Sequence, residues 1–116
     1  MPGYPNGTND DSLLGNIAWY YSNNSPYGTS PVAGKAANAF GMYDMSGNVR
    51  EWCNDWYGPY SASNVTDPAG PSSDLHRVQR GGLFGSASGG CRSSYRDFNG
   101  PGGRGDYVGF RVARTP

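Results

Sequence analysis

Apolar and polar positions along this chain keep no single period for more than a few residues. Residues 1–34 are rich in Asn, Gly, Ser, Tyr and Pro and hold no sustained run of period 2 or 3.6. Within them, Gly15-Asn-Ile-Ala-Trp-Tyr-Tyr21 predicts a short strand or a packed aromatic cluster, and the following Lys35-Ala-Ala-Asn38 allows one helical turn. Ser25-Pro26 and Ser30-Pro31 favour turn or extended geometry. Residues 58–76, dominated by Gly, Pro, Ser and Asp, read as a surface excursion. Arg77-Val-Gln-Arg-Gly-Gly82 alternates and ends in a Gly pair, the pattern of a strand running into a loop. Cys91-Arg-Ser-Ser-Tyr-Arg96 and Gly109-Phe-Arg-Val-Ala-Arg114 read as two further short strands. The whole predicts one α+β, loop-rich domain over residues 1–116, with short antiparallel strands near 48–56, 77–81, 91–96 and 109–114.

The densest stretch is Gly47-Asn-Val-Arg-Glu-Trp-Cys-Asn-Asp-Trp-Tyr57, which holds two of the three Trp, one of the two Cys and the only Glu. Trp52 and Trp56 are large enough to anchor a core, and are expected to be buried together with Phe110 and Val112. Composition sharpens this. Leu, Ile and Val total 11 against 16 aromatics, so the core is expected to be aromatic-rich. A formal net charge of zero argues against a disordered chain. No run approaches the 18 apolar residues of a membrane span, and residues 1–7 are polar, without a signal-like segment. All eight Arg lie at or after position 50, alongside a single Lys. With acids in balance they leave no electrostatic footprint for nucleic acid. Their planar guanidinium groups suit the pinning of loop carbonyls, a structural role expected of Arg80, Arg92, Arg96 and Arg111.

Four motifs in order, "NAFGMYDMSGNVREWCNDWY", "RVQRGG", "CRSSYR" and "GFRVAR", resemble the sulfatase-modifying-factor family, which includes formylglycine-generating enzyme. The resemblance implies a C-type-lectin-like fold of the formylglycine-generating-enzyme type. The family's usual upstream segment is absent, so the chain reads as the C-terminal part of such a domain, either a compact relative or a trimmed form.

Enzyme chemistry in that family uses a Cys-x4-Cys pair that binds copper shortly after the RGG-like motif. Here only Cys91 follows Gly82, and a thiolate copper site needs at least two soft ligands. Sulfoxide synthases of the same superfamily need a His cluster, and this chain has one His, His76, in a loop. No catalytic residue is therefore assigned. Cys53 and Cys91 sit on two of the family's motifs, where a disulfide and two buried thiols are both open readings. The resemblance also places Asn48 and Glu51 where family members ligate a structural calcium ion. The alternative is that Asn48 caps the turn at Gly47 and Glu51 pairs with an Arg.

Residues 83–107 lie between fixed-looking landmarks and resemble the variable region of diversity-generating-retroelement target proteins. Adenine mutagenesis of Asn codons cannot yield Lys, Glu, Gln, Met or Trp, and none of the five occurs in this segment. At the frequency of these residues elsewhere in the chain, such an absence would arise about 7% of the time by composition alone. The order of the landmarks adds to it. The expected binding surface is Phe84, Ser86, Ser88, Tyr95, Asp97, Phe98, Asn99, Asp106 and Tyr107, aromatic and small polar groups in the manner of a paratope. The resulting expectation is a non-catalytic ligand-binding module for a protein or surface ligand. A formylglycine-generating or related oxidase is one alternative. The other is a structural or oligomerisation module, in which a truncated sheet exposes an edge for a second copy.

Overall fold

Arg50–Trp56 forms the longest strand, β3, and the rest of the main sheet assembles on it. The computed structural model describes residues 10–115; the polar segment at residues 1–7 lies outside the described residues. Two short strands precede β3: β1, Ala18–Trp19, and β2, Ser46–Gly47, which pair in parallel. After it come β4, Arg77–Arg80, β5, Asp97–Asn99, and β6, Val108–Gly109. The main sheet has the order β5-β4-β3-β6. β4 is antiparallel to both β3 and β5, whereas β6 runs parallel to β3. Among the described residues the helical part consists of three 3-10 turns, Asp11–Asn16, Tyr21–Asn23 and Ser88–Cys91.

Local chemistry explains where these elements start and meet. Asp10 caps the first turn by accepting the Ser12 N–H at 2.8 Å, and the turn presents Leu14 inward. Leu14, Ile17, Ala18 and Cys91 form the buried cluster, with Tyr20 packed against it. β1 passes close to β2 because Gly47 has no side chain. A Cβ there would lie 2.2 Å from the Trp19 carbonyl oxygen, and φ is +73°. Ser46 ties this small sheet to the third 3-10 turn by donating its hydroxyl to the Cys91 carbonyl at 3.0 Å.

Strand parity sorts the main sheet into two faces. Trp52 registers with Gln79, and Gln79 with Asp97, while Val78 registers with Phe98. Trp52, Trp56, Arg77, Gln79, Asp97 and Asn99 therefore share one face, and Glu51, Val78, Arg80 and Phe98 the other. A register irregularity lies between Trp52 and Trp56.

The structure corrects several expectations. Residues 91–96 are not a strand. The Gly89-Gly90 pair allows the chain to turn at Ser88–Cys91, and the Tyr95 N–H then bonds the Arg92 carbonyl at 3.0 Å, so extension begins only at Asp97. Of residues 109–114 only Gly109 is in a strand, and that strand is parallel to its neighbour. Phe110 and Val112 are exposed, at 77% and 86%, because the chain leaves the sheet after Gly109. It is held instead by Arg111, which reaches the Tyr43 and Asp44 carbonyls and Glu51. Trp52 and Trp56 are half-buried, not core. Trp56 is covered by the Arg77 guanidinium, 3.7 Å from the ring centroid. Residues 35–38 make no helical turn.

Candidate functional site

The RGG motif ends β4 with two glycines at positive φ, +95° at Gly81 and +73° at Gly82, and turns the chain back under the small sheet. A Cβ on Gly82 would meet the Gly90 carbonyl oxygen at 2.7 Å and Cys91 Sγ at 2.9 Å, so the segment packs tightly from the start. Phe84 follows and is buried, only 5% exposed, contrary to its expected display. Its ring meets Tyr27 edge-on at 5.0 Å, and its N–H donates to the Asn48 carbonyl at 2.8 Å. Phe84 is therefore a packing residue, set against Tyr27 and next to the backbone that follows β2.

Ser86 and Ser88 are likewise used by the fold. Ser86 Oγ accepts the Leu83 N–H at 3.0 Å, closing the turn. Ser88 Oγ donates to Asp11 at 2.8 Å, and Arg92 bonds the same carboxylate at 3.2 Å. Beyond Cys91 the character changes. Tyr95, Phe98 and Asp106 are exposed, while Asp97, Asn99 and Tyr107 are half-buried.

The half-buried members support the exposed ones. Asp97 pairs with Arg50 at 2.6 Å, joining β5 to β3 across β4. Asn99 Oδ1 accepts the Gly100 N–H at 2.8 Å, and Gly103 packs so closely on this amide that a Cβ would lie 2.6 Å from it. The Tyr107 carbonyl accepts the Arg50 N–H at 2.9 Å, and its ring lies across Gly105. The loop at residues 100–107 is thus anchored at both ends. It borders a cavity of about 410 Å³ lined by Trp52, Gly103, Arg104, Gly105, Val108 and Phe110. Trp52, expected in the core, is instead a wall of this cavity.

Strand parity divides the expected binding residues. Asp97 and Asn99 face the Trp52 side, and Phe98 faces the other. There Phe98 joins residues the sequence reading did not include: Tyr57 at 4.5 Å and His76 at 5.0 Å between ring centroids. Arg96 extends the group, with its guanidinium 4.8 Å from the Tyr57 ring and 3.8 Å from Tyr60. Recurrent Tyr around the Gly58-Pro59 turn was the available signal, but only strand pairing brings it to Phe98.

The expected arginine anchors all engage. Arg80 donates to the Ser93 carbonyl at 2.7 Å and to the Tyr60 hydroxyl at 3.3 Å, and Arg96 donates to the Gly58 carbonyl at 2.8 Å. Arg111 grips Glu51 with two hydrogen bonds of 2.6 Å, and this bonding raises the Arg111 pKa. A calcium ion does not fit at Asn48 and Glu51. Asn48 is buried, its Oδ1 accepts the Ser30 N–H at 2.9 Å, and Glu51 is neutralised by Arg111. Among the described residues no group of three His, Cys, Asp or Glu could hold a metal.

Cys53 and Cys91 are free thiols. Burial pushes the Cys91 thiol up to about 11, against a smaller opposing hydrogen bond from the Gly47 backbone. Burial also raises the Cys53 thiol, partly offset by Arg80. Both are poor thiolates at neutral pH.

Comparison with known proteins agrees with the motif reading. The sulfatase-modifying factor enzyme 1-like domain matches residues 4–116. The serine/threonine-protein kinase pkn1 of Chlamydia caviae is 43% identical over 90 residues, 74% of this chain and 15% of the kinase. The formylglycine-generating enzyme of Thermomonospora curvata is 37% identical over 97 residues, 77% of this chain and 32% of that protein. Among solved structures, Treponema denticola variable protein 1 matches with a TM-score of 0.82 and 39% identity, over 89% of this chain and 37% of that one. The chain therefore spans well under half the length of each.

Proposed function

This chain belongs to the sulfatase-modifying factor enzyme 1-like family, with its loop-rich, C-type-lectin-like α+β fold, and from that premise we propose that it is a non-catalytic ligand-binding module presenting a variable surface. The observation that carries the reading is a change of role within one segment. Side chains at 84, 86, 88 and 91 serve the fold, whereas those at 95, 98 and 106 project from it. Their surroundings can therefore be kept while they change. The display residues on this reading are Tyr95, Phe98, Asn99, Asp106 and Tyr107, with Asn99 on the side of the Trp52 cavity and Phe98 on the other face; Phe84, Ser86, Ser88 and Asp97 leave the set. Similarity to the Treponema variable protein supports it, and so does the burial of Cys91, which packs as a small apolar residue.

Resequencing the gene across a population of its host tests the proposal. Substitutions are expected to concentrate between codons 95 and 107, to arise from adenines, and to spare Arg80, Phe84, Cys91, Arg96 and Arg111. Substitutions spread evenly over the chain, or an invariant 95–107 segment, would overturn it. The oxidase reading has its own test: copper-dependent peptide oxidation that is lost in Cys91→Ser.

Exposed Phe40, Phe110 and Val112 favour a second reading, self-association with another copy of this chain. Sedimentation over a range of concentrations should then show a dimer that Phe110→Ser weakens.

A further inference from the structure

Residues 58–71, read from sequence as a plain surface excursion, fold back on the end of β3 and border an open cavity of about 320 Å³. Its shape is fixed by close backbone packing. A Cβ on Gly58 would meet Pro71 Cγ at 2.9 Å, and one on Gly70 would meet the Trp56 carbonyl oxygen at 2.9 Å. The Tyr57 N–H bonds the His76 carbonyl at 2.9 Å and closes the base of the excursion. Tyr60, Val65, Pro68, Ala69 and Pro71 supply apolar walls, and Arg96 is the one charged side chain in the lining. Prolines at three points of this wall limit its freedom to collapse.

Arg96 is held in a defined pose. The Tyr57 and Tyr60 rings lie on its guanidinium, and one Nη2–H is committed to the Gly58 carbonyl at 2.8 Å. Among the described residues no carboxylate pairs with it; Arg50, Arg92 and Arg111 each have an acid. Asp55 stays on the strand side of the excursion, its Cβ against Gly70. Arg80, bonded to the Tyr60 hydroxyl, adds a second cation without a carboxylate partner among the described residues. A planar, oriented guanidinium with uncommitted N–H groups, set in an apolar wall, matches a carboxylate attached to an apolar body. The cavity is at the small end of ligand sites and suits a single residue.

We propose that the Tyr60–Arg96 cavity binds the C-terminal residue of a peptide, its carboxylate on Arg96 and an apolar side chain against Val65 and Pro68. The site is built from the 58–71 excursion and from the anchor Arg96, so it persists while the display residues of 95–107 vary, provided Arg96 is kept. A fixed pocket beside a changing surface would give every copy a shared recognition element.

The probe is N-acetyl-glycyl-leucine, compared with its C-terminal carboxamide and with free N-acetyl-leucine, by amide and guanidinium NMR titration of the full chain. The free-acid peptide should give saturable shifts at residues 58–71 and at the Arg96 Nε–H, with the carboxamide weaker by about tenfold or more. Arg96→Gln should abolish the response. Val65→Glu, which leaves every contact of Arg96 in place and sets a rival carboxylate at the wall, should abolish it as well. Tighter binding of the peptide than of N-acetyl-leucine supports a peptide end; equal binding assigns the site to free apolar acids and overturns the peptide. Equal binding of acid and carboxamide, shifts confined to residues 103–110, or no saturation up to probe solubility would overturn the site.

Discussion

The two halves of the segment after the RGG motif have similar compositions, small polar residues with a few aromatics, yet they occupy opposite roles. In residues 81–91 Gly82 brings backbone against backbone, Phe84 is buried against Tyr27, and Cys91 closes the cluster with Leu14 and Ile17. In residues 95–107 Gly103 and Gly105 meet the side chains of Asn99 and Tyr107, and the aromatic Phe98 rests half-exposed, at 46%, on Tyr57 and His76. The difference comes from what lies beneath. The first half runs under the paired strands β1 and β2, where removal from water makes packing decisive. The second crosses an edge strand and a loop end, where ion pairs and backbone bonds hold position and side chains are left over. Composition alone therefore does not mark a binding surface; burial decides which aromatic is anchor and which is display.

Truncation should separate the halves most sharply at their aromatics. Phe84→Ala leaves a cavity beside Tyr27 and should cost about 3–5 kcal/mol by urea titration, enough to unfold a marginal domain. A loss within experimental error would place Phe84 on the surface and erase the distinction.

Alkaline titration gives the next largest effect. The Cys91 thiol is pushed up to about 11 in the folded chain from an ordinary 9.0. Because the folded pKa is raised, its contribution is complete below the ordinary value and disappears as pH rises through the folded one. The span corresponds to about 2–3 kcal/mol. Urea titrations between these two pH values should show Cys91→Val losing correspondingly less stability than the parent chain. In the native protein a thiol reagent should modify half-buried Cys53 well before Cys91.

Phe98→Ala should cost about 1 kcal/mol, the worth of a half-exposed ring against Tyr57 and His76. Calorimetry would sharpen the comparison here, since a loss near that of Phe84→Ala would make β5 part of the core. Tyr95→Ala and Asp106→Ala mark the smallest effect, within about 0.5 kcal/mol of the parent chain. Thermal melts of these two variants should coincide with wild type. A clear drop would show that the outer half is also structural.

Much of the scaffold could be read without coordinates. The alternation in "RVQR", the dense stretch around Trp52 and the RGG glycines are local signals, and β3, β4 and the turn after Arg80 follow them. Arg80, Arg96 and Arg111 reach backbone carbonyls, the role their number against a single Lys in a loop-rich chain suggests, whereas Arg92 bonds the Asp11 carboxylate. The site was less legible. Tyr95 and Asp106 are on the surface, but Phe84, Ser86 and Ser88 serve the fold, and His76, Tyr60 and Tyr57 join Phe98 and Arg96 from about 20 to 40 residues upstream.

The sequence by itself determined the family, the loop-rich fold and the strands nearest its motifs, because four ordered motifs and short-range alternation encode them. Tertiary structure alone decided which side of each element is covered. Whether residues 91–96 extend or turn depends on Cys91 docking beside Leu14. Whether Phe110 is buried depends on where the chain leaves β6, and whether Glu51 could hold calcium depends on Arg111, sixty residues away. Each is a long-range packing choice made between residues whose local sequences carry no record of one another, and the free energy that settles it exists only once the sheet has closed.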